Sequence, residues 1–224
     1  MKSIYYFLLC IFIITSCNNH TENIQTKSNT QKEVSADLLS NYKAISFDTL
    51  DVFIGNIDSN IFKFYGTQLD SVNAFLLTGK SRNEYDYSEG IFSCFKFDLN
   101  DTLIGLISRE PSYYVSSVIT LSLYNTWVKS IVVKYKLADS FGDAGDQSQY
   151  STSIVKLNNE LMLYSYGWAS YDNSAGENPR DTTIDHWYNY SLIKLNKNHF
   201  DTISTDSAKI VTNHKEIINR LAKY

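Results

Sequence analysis

The chain has 224 residues, of which 43% are hydrophobic and 20% charged, and a formal net charge of −4. This composition fits one good-sized folded domain and excludes a disordered chain. Its acidic balance and scattered lysines leave no basis for nucleic acid as a partner, because phosphate recognition needs clustered Lys and Arg. With 17 Tyr and 12 Phe, residues suited to the pleated surface of a strand, the chain leans towards β structure.

At the N-terminus, Lys2 precedes an uninterrupted apolar run from Ile4 to Ile14. The run falls short of the roughly 20 residues a membrane-spanning helix needs, and fits the apolar region of an export signal over residues 1–16. It ends in Ile14-Thr15-Ser16-Cys17. These four residues resemble the lipobox of bacterial lipoproteins, a branched apolar residue and two small ones before Cys, with Ile14 where Leu is usual. The resemblance implies cleavage before Cys17, a diacylglyceryl thioether on its sulfur and acylation of the new amine. Several acyl chains anchor a protein firmly in a bilayer. Asn18 rather than Asp follows Cys17, which by the same resemblance points to the outer membrane, at its periplasmic or surface face. Cys10 then leaves with the signal and Cys17 is alkylated, so Cys94 alone remains and no internal disulfide is expected. Cys94 lies in the strand-like segment 91–97, where a buried, inert thiol is expected.

Residues 17–35 comprise the lipidated Cys and a flexible tether. Their Asn, Thr, Gln and Lys cannot bury enough apolar surface to order themselves. One β-rich domain follows over residues 36–224. Period-two alternation marks strands at 118–124 and 131–137, where Ile131, Val133, Tyr135 and Leu137 share a face opposite Lys134 and Lys136. Further strands are expected at 45–55, 61–66, 91–98, 102–108, 150–157, 160–168, 186–195 and 199–203. Residues 69–77 read equally as helix or strand. Asn100-Asp101 and Asn158-Asn159 suit tight turns, so the pairing should be mainly antiparallel, in a sandwich, a barrel or a compact meander. In the tail, Asp206 can cap a helix over about 207–222. Ile210, Val211, His214, Ile217, Ile218 and Leu221 would form its apolar stripe, packed on the sheet.

Three groups of residues could carry function. Asp139, Asp143 and Asp146, with two glycines between them, could curl around a hard cation such as Ca²⁺, although the spacing is not that of an EF-hand. A solvated loop between strands is the plainer reading, and no other cofactor is implied. Tyr164, Tyr166 and Trp168 alternate along one strand. Tyr188 and Tyr190 would form a second row beside Trp187 and His186, and with the polar segment 171–185 these residues suggest a face where rings stack on a sugar and amides and carboxylates take its hydroxyls. The alternative is that these rings form a second apolar face of a sheet covered on both sides. Finally, six Asp-Ser or Asp-Thr pairs, at Asp48, Asp70, Asp101, Asp181, Asp201 and Asp206, resemble acceptors of a bacterial O-glycosylation system, and equally suit turns and caps.

The sequence has no Gly-x-Ser-x-Gly, His-Glu-x-x-His, Cys-x-x-Cys or P-loop motif. The expectation is therefore a membrane-anchored, non-enzymatic binding or scaffold module of the cell envelope. Its partners would be the membrane and a glycan or envelope protein. A glycan-binding surface lipoprotein and a cation-dependent envelope hydrolase are the alternatives.

Overall fold

The structure, a computed structural model, describes residues 38–54, 64–80, 90–111, 117–157, 160–176 and 180–223. The expected export signal, Cys17, the expected tether and domain start at Ala36, residues 61–63 and the expected Asn158-Asn159 turn lie outside the described residues.

The protein is mainly β. Its strands form one mixed sheet in the order β1 (Lys43–Ala44), β4 (Phe92–Asp98), β5 (Leu103–Pro111), β6 (Ser117–Asn125), β7 (Ser130–Asp143), β8 (Asp146–Leu157), β9 (Glu160–Asp172), β10 (Ile184–Asn196), β11 (His199–Ser204). β2 (Thr49–Val52) pairs with β8, and β3 (Thr67–Gln68) with β4. From β4 to β11 each strand is antiparallel to the next in sequence, and among the described residues only β1 pairs in parallel, with β4. The sheet is thus a meander, and it is open: its end strands do not pair with each other.

The alternation seen in the sequence explains how this sheet buries its core. Ile107, Leu121, Leu123 and Leu137 of the first half pack with Ile154, Leu161, Leu163 and Ile193 of the second half in one cluster. The sheet is therefore folded over, with β7 as the shared strand. The first part of β7 pairs with β6, and residues 139–143 pair with β8. A register shift opposite Ile119 and Thr120 marks the crossing, where the consecutive Leu137 and Ala138 are both fully buried. Such a bulge inserts one unpaired residue and bends the strand.

The opposite face of the first half is covered by α1 (Ser71–Thr78) and by the helical turn at 38–40. Leu38, Tyr42, Leu69 and Leu77 pack there on Leu106 and Tyr124. The ambiguous segment 69–77 is thus resolved as a helix. Asp70 caps it by accepting the Asn73 N–H at 2.8 Å, and Gly79 ends it at φ 69°.

The tail forms two short helices, α2 (Ser207–Asn213) and α3 (Lys215–Leu221), rather than one. The break falls at His214, at φ −132°, whose ring lies 4.7 Å from that of Tyr164. Ile210, Ile218 and Leu221 are nonetheless buried as the stripe predicts. Two other boundaries also shift. Among the described residues of 45–55, strand structure is limited to 49–52, and residues 64–66 are not a strand. The Asn100 turn forms as expected, with its Oδ1 accepting the N–H groups of Thr102 and Leu103.

Candidate ligand face

β8, β9 and β10 extend beyond the helices that cover them, and the register of this ribbon fixes which residues share its outer face. Ser153, Tyr164 and Leu192 form one row across the three strands. Ser151, Tyr166 and Tyr190 form the next, then Gln149, Trp168 and Tyr188, and finally Gln147, Ser170 and His186. The two C-terminal helices lie over the first of these rows. Tyr164, only 8% exposed, is covered by the His214 ring, and burial raises its phenol above the ordinary value.

One row further, the cover ends. Tyr166 and Trp168 are half-buried, and Tyr188 is 57% exposed. The rings of Tyr166 and Tyr188 lie near-parallel, 6.5 Å apart at 22°, and Tyr190 leans on Tyr166 at 5.5 Å. Burial, followed by the neighbouring hydroxyls of Tyr190 and Tyr188, raises the Tyr166 phenol, which therefore stays a neutral hydroxyl at physiological pH. Trp168 and Tyr188 are direct cross-strand partners, and Gln149 flanks Trp168 on the other side. The result is a ring-bearing surface bordered by two amides and an imidazole.

Of the aromatic residues singled out in the sequence, the structure brings Tyr166, Trp168, Tyr188 and Tyr190 together on this face. Tyr164 lies in the same column but under the helices. Trp187, 51% exposed, falls on the opposite face, because neighbours along a strand point to opposite sides. Gln147 and Gln149 come from β8 and could be placed only once the β8–β9 register was known.

The polar segment between β9 and β10 is largely engaged with itself. The Asp172 carboxylate accepts the N–H and hydroxyl of Ser174, and Asp181 does the same for Thr183. These bonds hold both acids below the usual carboxylate range. Asn173 donates to Thr183 and to Asp185. These groups build the loop, while Gln147, Gln149 and His186 border the rings, the Gln149 amide also donating to the Ile54 carbonyl at 3.4 Å.

Asp139, Asp143 and Asp146 do not sit on a solvated loop. Asp139 and Asp143 belong to β7 and Asp146 opens β8, so the only turn residues are Ala144 and Gly145. With φ of 45° and 94°, these two form the tight connection that the twist of a hairpin favours. Asp143 and Asp146 face each other across the hairpin, while Asp139 lies four residues down its strand, about 13 Å away. Asp139 is also bound by Lys136 at 3.0 Å. Among the described residues, no group of three or more His, Cys, Asp or Glu side chains is placed to hold a metal ion.

Cys94 is buried, with its Sγ 3.5 Å from the Phe64 carbonyl oxygen. Burial pushes its thiol up to about 12, so it carries no thiolate at neutral pH. Among the Asp-Ser and Asp-Thr pairs, Asp70 and Asp206 are helix caps and Asp181 closes a turn.

No family profile, curated protein or solved structure matches the chain.

Proposed function

We propose that this protein is a non-enzymatic binding module of the bacterial cell envelope, tethered to a membrane through a lipidated Cys17. Its ligand face is the surface of Tyr166, Trp168, Tyr188 and Tyr190. The observation that carries this reading is the line between Tyr164 and Tyr166. The helices seal the first ring, while the next rows of the same column remain open, with their rings ordered against one another. A continuous second core would have covered both. Aromatic side chains at an open face supply large contact area at low entropic cost.

The near-parallel rings of Tyr166 and Tyr188, bordered by Gln147, Gln149 and His186, favour a glycan as ligand. Ring faces suit the C–H side of a pyranose, and the amides and imidazole suit its hydroxyls. The test is a glycan array probed with the protein and with Trp168→Ala and Tyr188→Ala. Tyr188 is mostly exposed, so its substitution should leave the melting temperature almost unchanged while binding falls at least tenfold. Binding that survives both substitutions overturns the assignment of this face.

A further inference from the structure

We infer that the turn joining β6 to β7 is a membrane-contacting tip, which seats the domain on the bilayer that holds Cys17 and directs the ligand face away from it. The inference rests on the lipid-anchor reading above. Its starting observation is Trp127, 82% exposed and followed by the exposed Val128 and by Lys129. A Trp and a Val at the apex of a turn gain nothing from water. Trp is the side chain that prefers the boundary between headgroups and acyl chains, and a neighbouring Lys can keep its ammonium among the phosphates.

The apex is held in place by the fold. Asn125 accepts the N–H groups of Trp127 and Val128 at 2.9 and 3.2 Å, and the Thr126 N–H donates to the Thr102 carbonyl at 2.9 Å. The latter bond ties this turn to the neighbouring β4–β5 turn. Lys156 donates to the Asp98 carbonyl at 2.7 Å, which brings the end of β8 and the exposed Leu157 to the same end of the sheet. Nothing in the core calls for either apolar group at these positions.

The described chain begins on the covered face of the first half and runs from beside Lys96 to Ser93, whose hydroxyl donates to the Asn41 carbonyl. The Leu39 carbonyl accepts a hydrogen bond from Lys96, two residues from the end of β4, and Leu38 packs in the cluster that contains Tyr124. The 20 residues between Cys17 and Leu38 would span ~22–27 Å as a coil, short enough to hold this end at the lipid surface. The occupant is thus the bilayer of the protein's own anchor. Trp168 lies eight residues along β9 from Glu160, about 26 Å from the tip end, so a domain seated in this way presents Tyr166, Trp168 and Tyr188 on its far side.

The test uses the full-length protein, produced with its export and acylation intact and reconstituted into vesicles of phosphatidylethanolamine and phosphatidylglycerol with brominated acyl chains. The mass of the Cys17 adduct and flotation with the vesicles read the anchor, and tryptophan quenching reads the tip. The expected result is an acylated, floating protein that loses up to the share of emission contributed by one of its three tryptophans, with Trp127→Phe abolishing that loss. An acylated, floating protein whose quenching is absent, or is unchanged by Trp127→Phe, overturns the tip and leaves the anchor standing. A protein that is neither acylated nor floated overturns the anchor, and the tip with it.

Discussion

Arg220, on the last helix, grips Asp51, on the second strand, through two hydrogen bonds. Nε donates at 2.9 Å and Nη2 at 3.2 Å, and Ser153 of β8 adds its hydroxyl to the same carboxylate at 2.7 Å. This fork joins the C-terminal helices to the edge of the sheet half they cover, and so sets where their cover stops short of Tyr166.

Arg220→Ala is therefore expected to loosen α3 and to expose Tyr164. The pair is only partly buried, with side-chain exposures of 40% and 17%, so its coupling is screened and should be about 1 kcal/mol. A double-mutant cycle with Asp51→Asn in thermal denaturation measures it. Arg220→Lys should restore less than half of the loss, because a single ammonium cannot reproduce the two-pronged contact. Tyr164 becoming accessible to iodination in Arg220→Ala, with Tyr42 still protected, would locate the opening under the helices.

The β7–β8 hairpin offers a substitution in the stabilising direction. Ala144 holds φ 45°, a left-handed conformation that costs an L residue with a plain Cβ roughly 1 kcal/mol. Ala144→Asn should recover about 0.5–1 kcal/mol, since Asn-Gly is a preferred pair in such turns. Gly145→Ala should destabilise by about 1–3 kcal/mol, because its Cβ would lie 2.6 Å from that of Ala175 and φ is 94°. Chemical denaturation of the two variants checks both signs. Equal midpoints for both would contradict the turn geometry.

Alkaline pH should unfold the protein early. Burial, offset in part by the Arg109 guanidinium, pushes the Cys94 thiol from 9.0 up to about 12, and burial likewise raises the Tyr42 and Tyr135 phenols above 10.0. A raised folded-state value means that the unfolded chain loses these protons first. Their stabilising contribution is thus complete below about pH 9 and is lost as the pH climbs towards the folded values. Denaturation midpoints should be flat up to about pH 9, fall beyond it, and fall more steeply once the tyrosines of the unfolded chain ionise. Cys94→Ala should remove the first part of the slope. The same burial predicts that native Cys94 reacts with a thiol reagent only through opening of the fold, at a rate that denaturant greatly increases.

Much of the fold is legible in the residues themselves. Ile131 to Leu137 alternates over a half-buried strand, and the Asn100 turn and the Asp206 cap use local hydrogen bonds that short-range patterns reveal, whereas 69–77 reads equally as helix or strand. The extension of β7 to Asp143 is hidden because Leu137 and Ala138 are consecutive buried residues, and a bulge breaks the period of two at the point where the strand changes partners. Segment 139–146 then reads as a loop, since its glycines and carboxylates are loop-like in composition while its pairing is fixed by β8. The helix break falls at His214, whose ring meets that of Tyr164, fifty residues away in the chain, a contact no local pattern reveals. For the proposed ligand face, alternation places Tyr164, Tyr166 and Trp168 in one column. Which of them is open depends on where two distant helices end, and no local pattern encodes that.

The strand that bears this column has a consequence for affinity. β9 is hydrogen-bonded along its length to β8 on one side and β10 on the other, so the backbone under Tyr166 and Trp168 is fixed before any ligand arrives. Little remains to be immobilised on binding except ring torsions, at about 0.5–1.5 kcal/mol for each side chain. A surface of this kind does not mould itself to its guest. It should discriminate among ligands by the spacing and flatness of their apolar faces, and be indifferent to chain flexibility elsewhere in them.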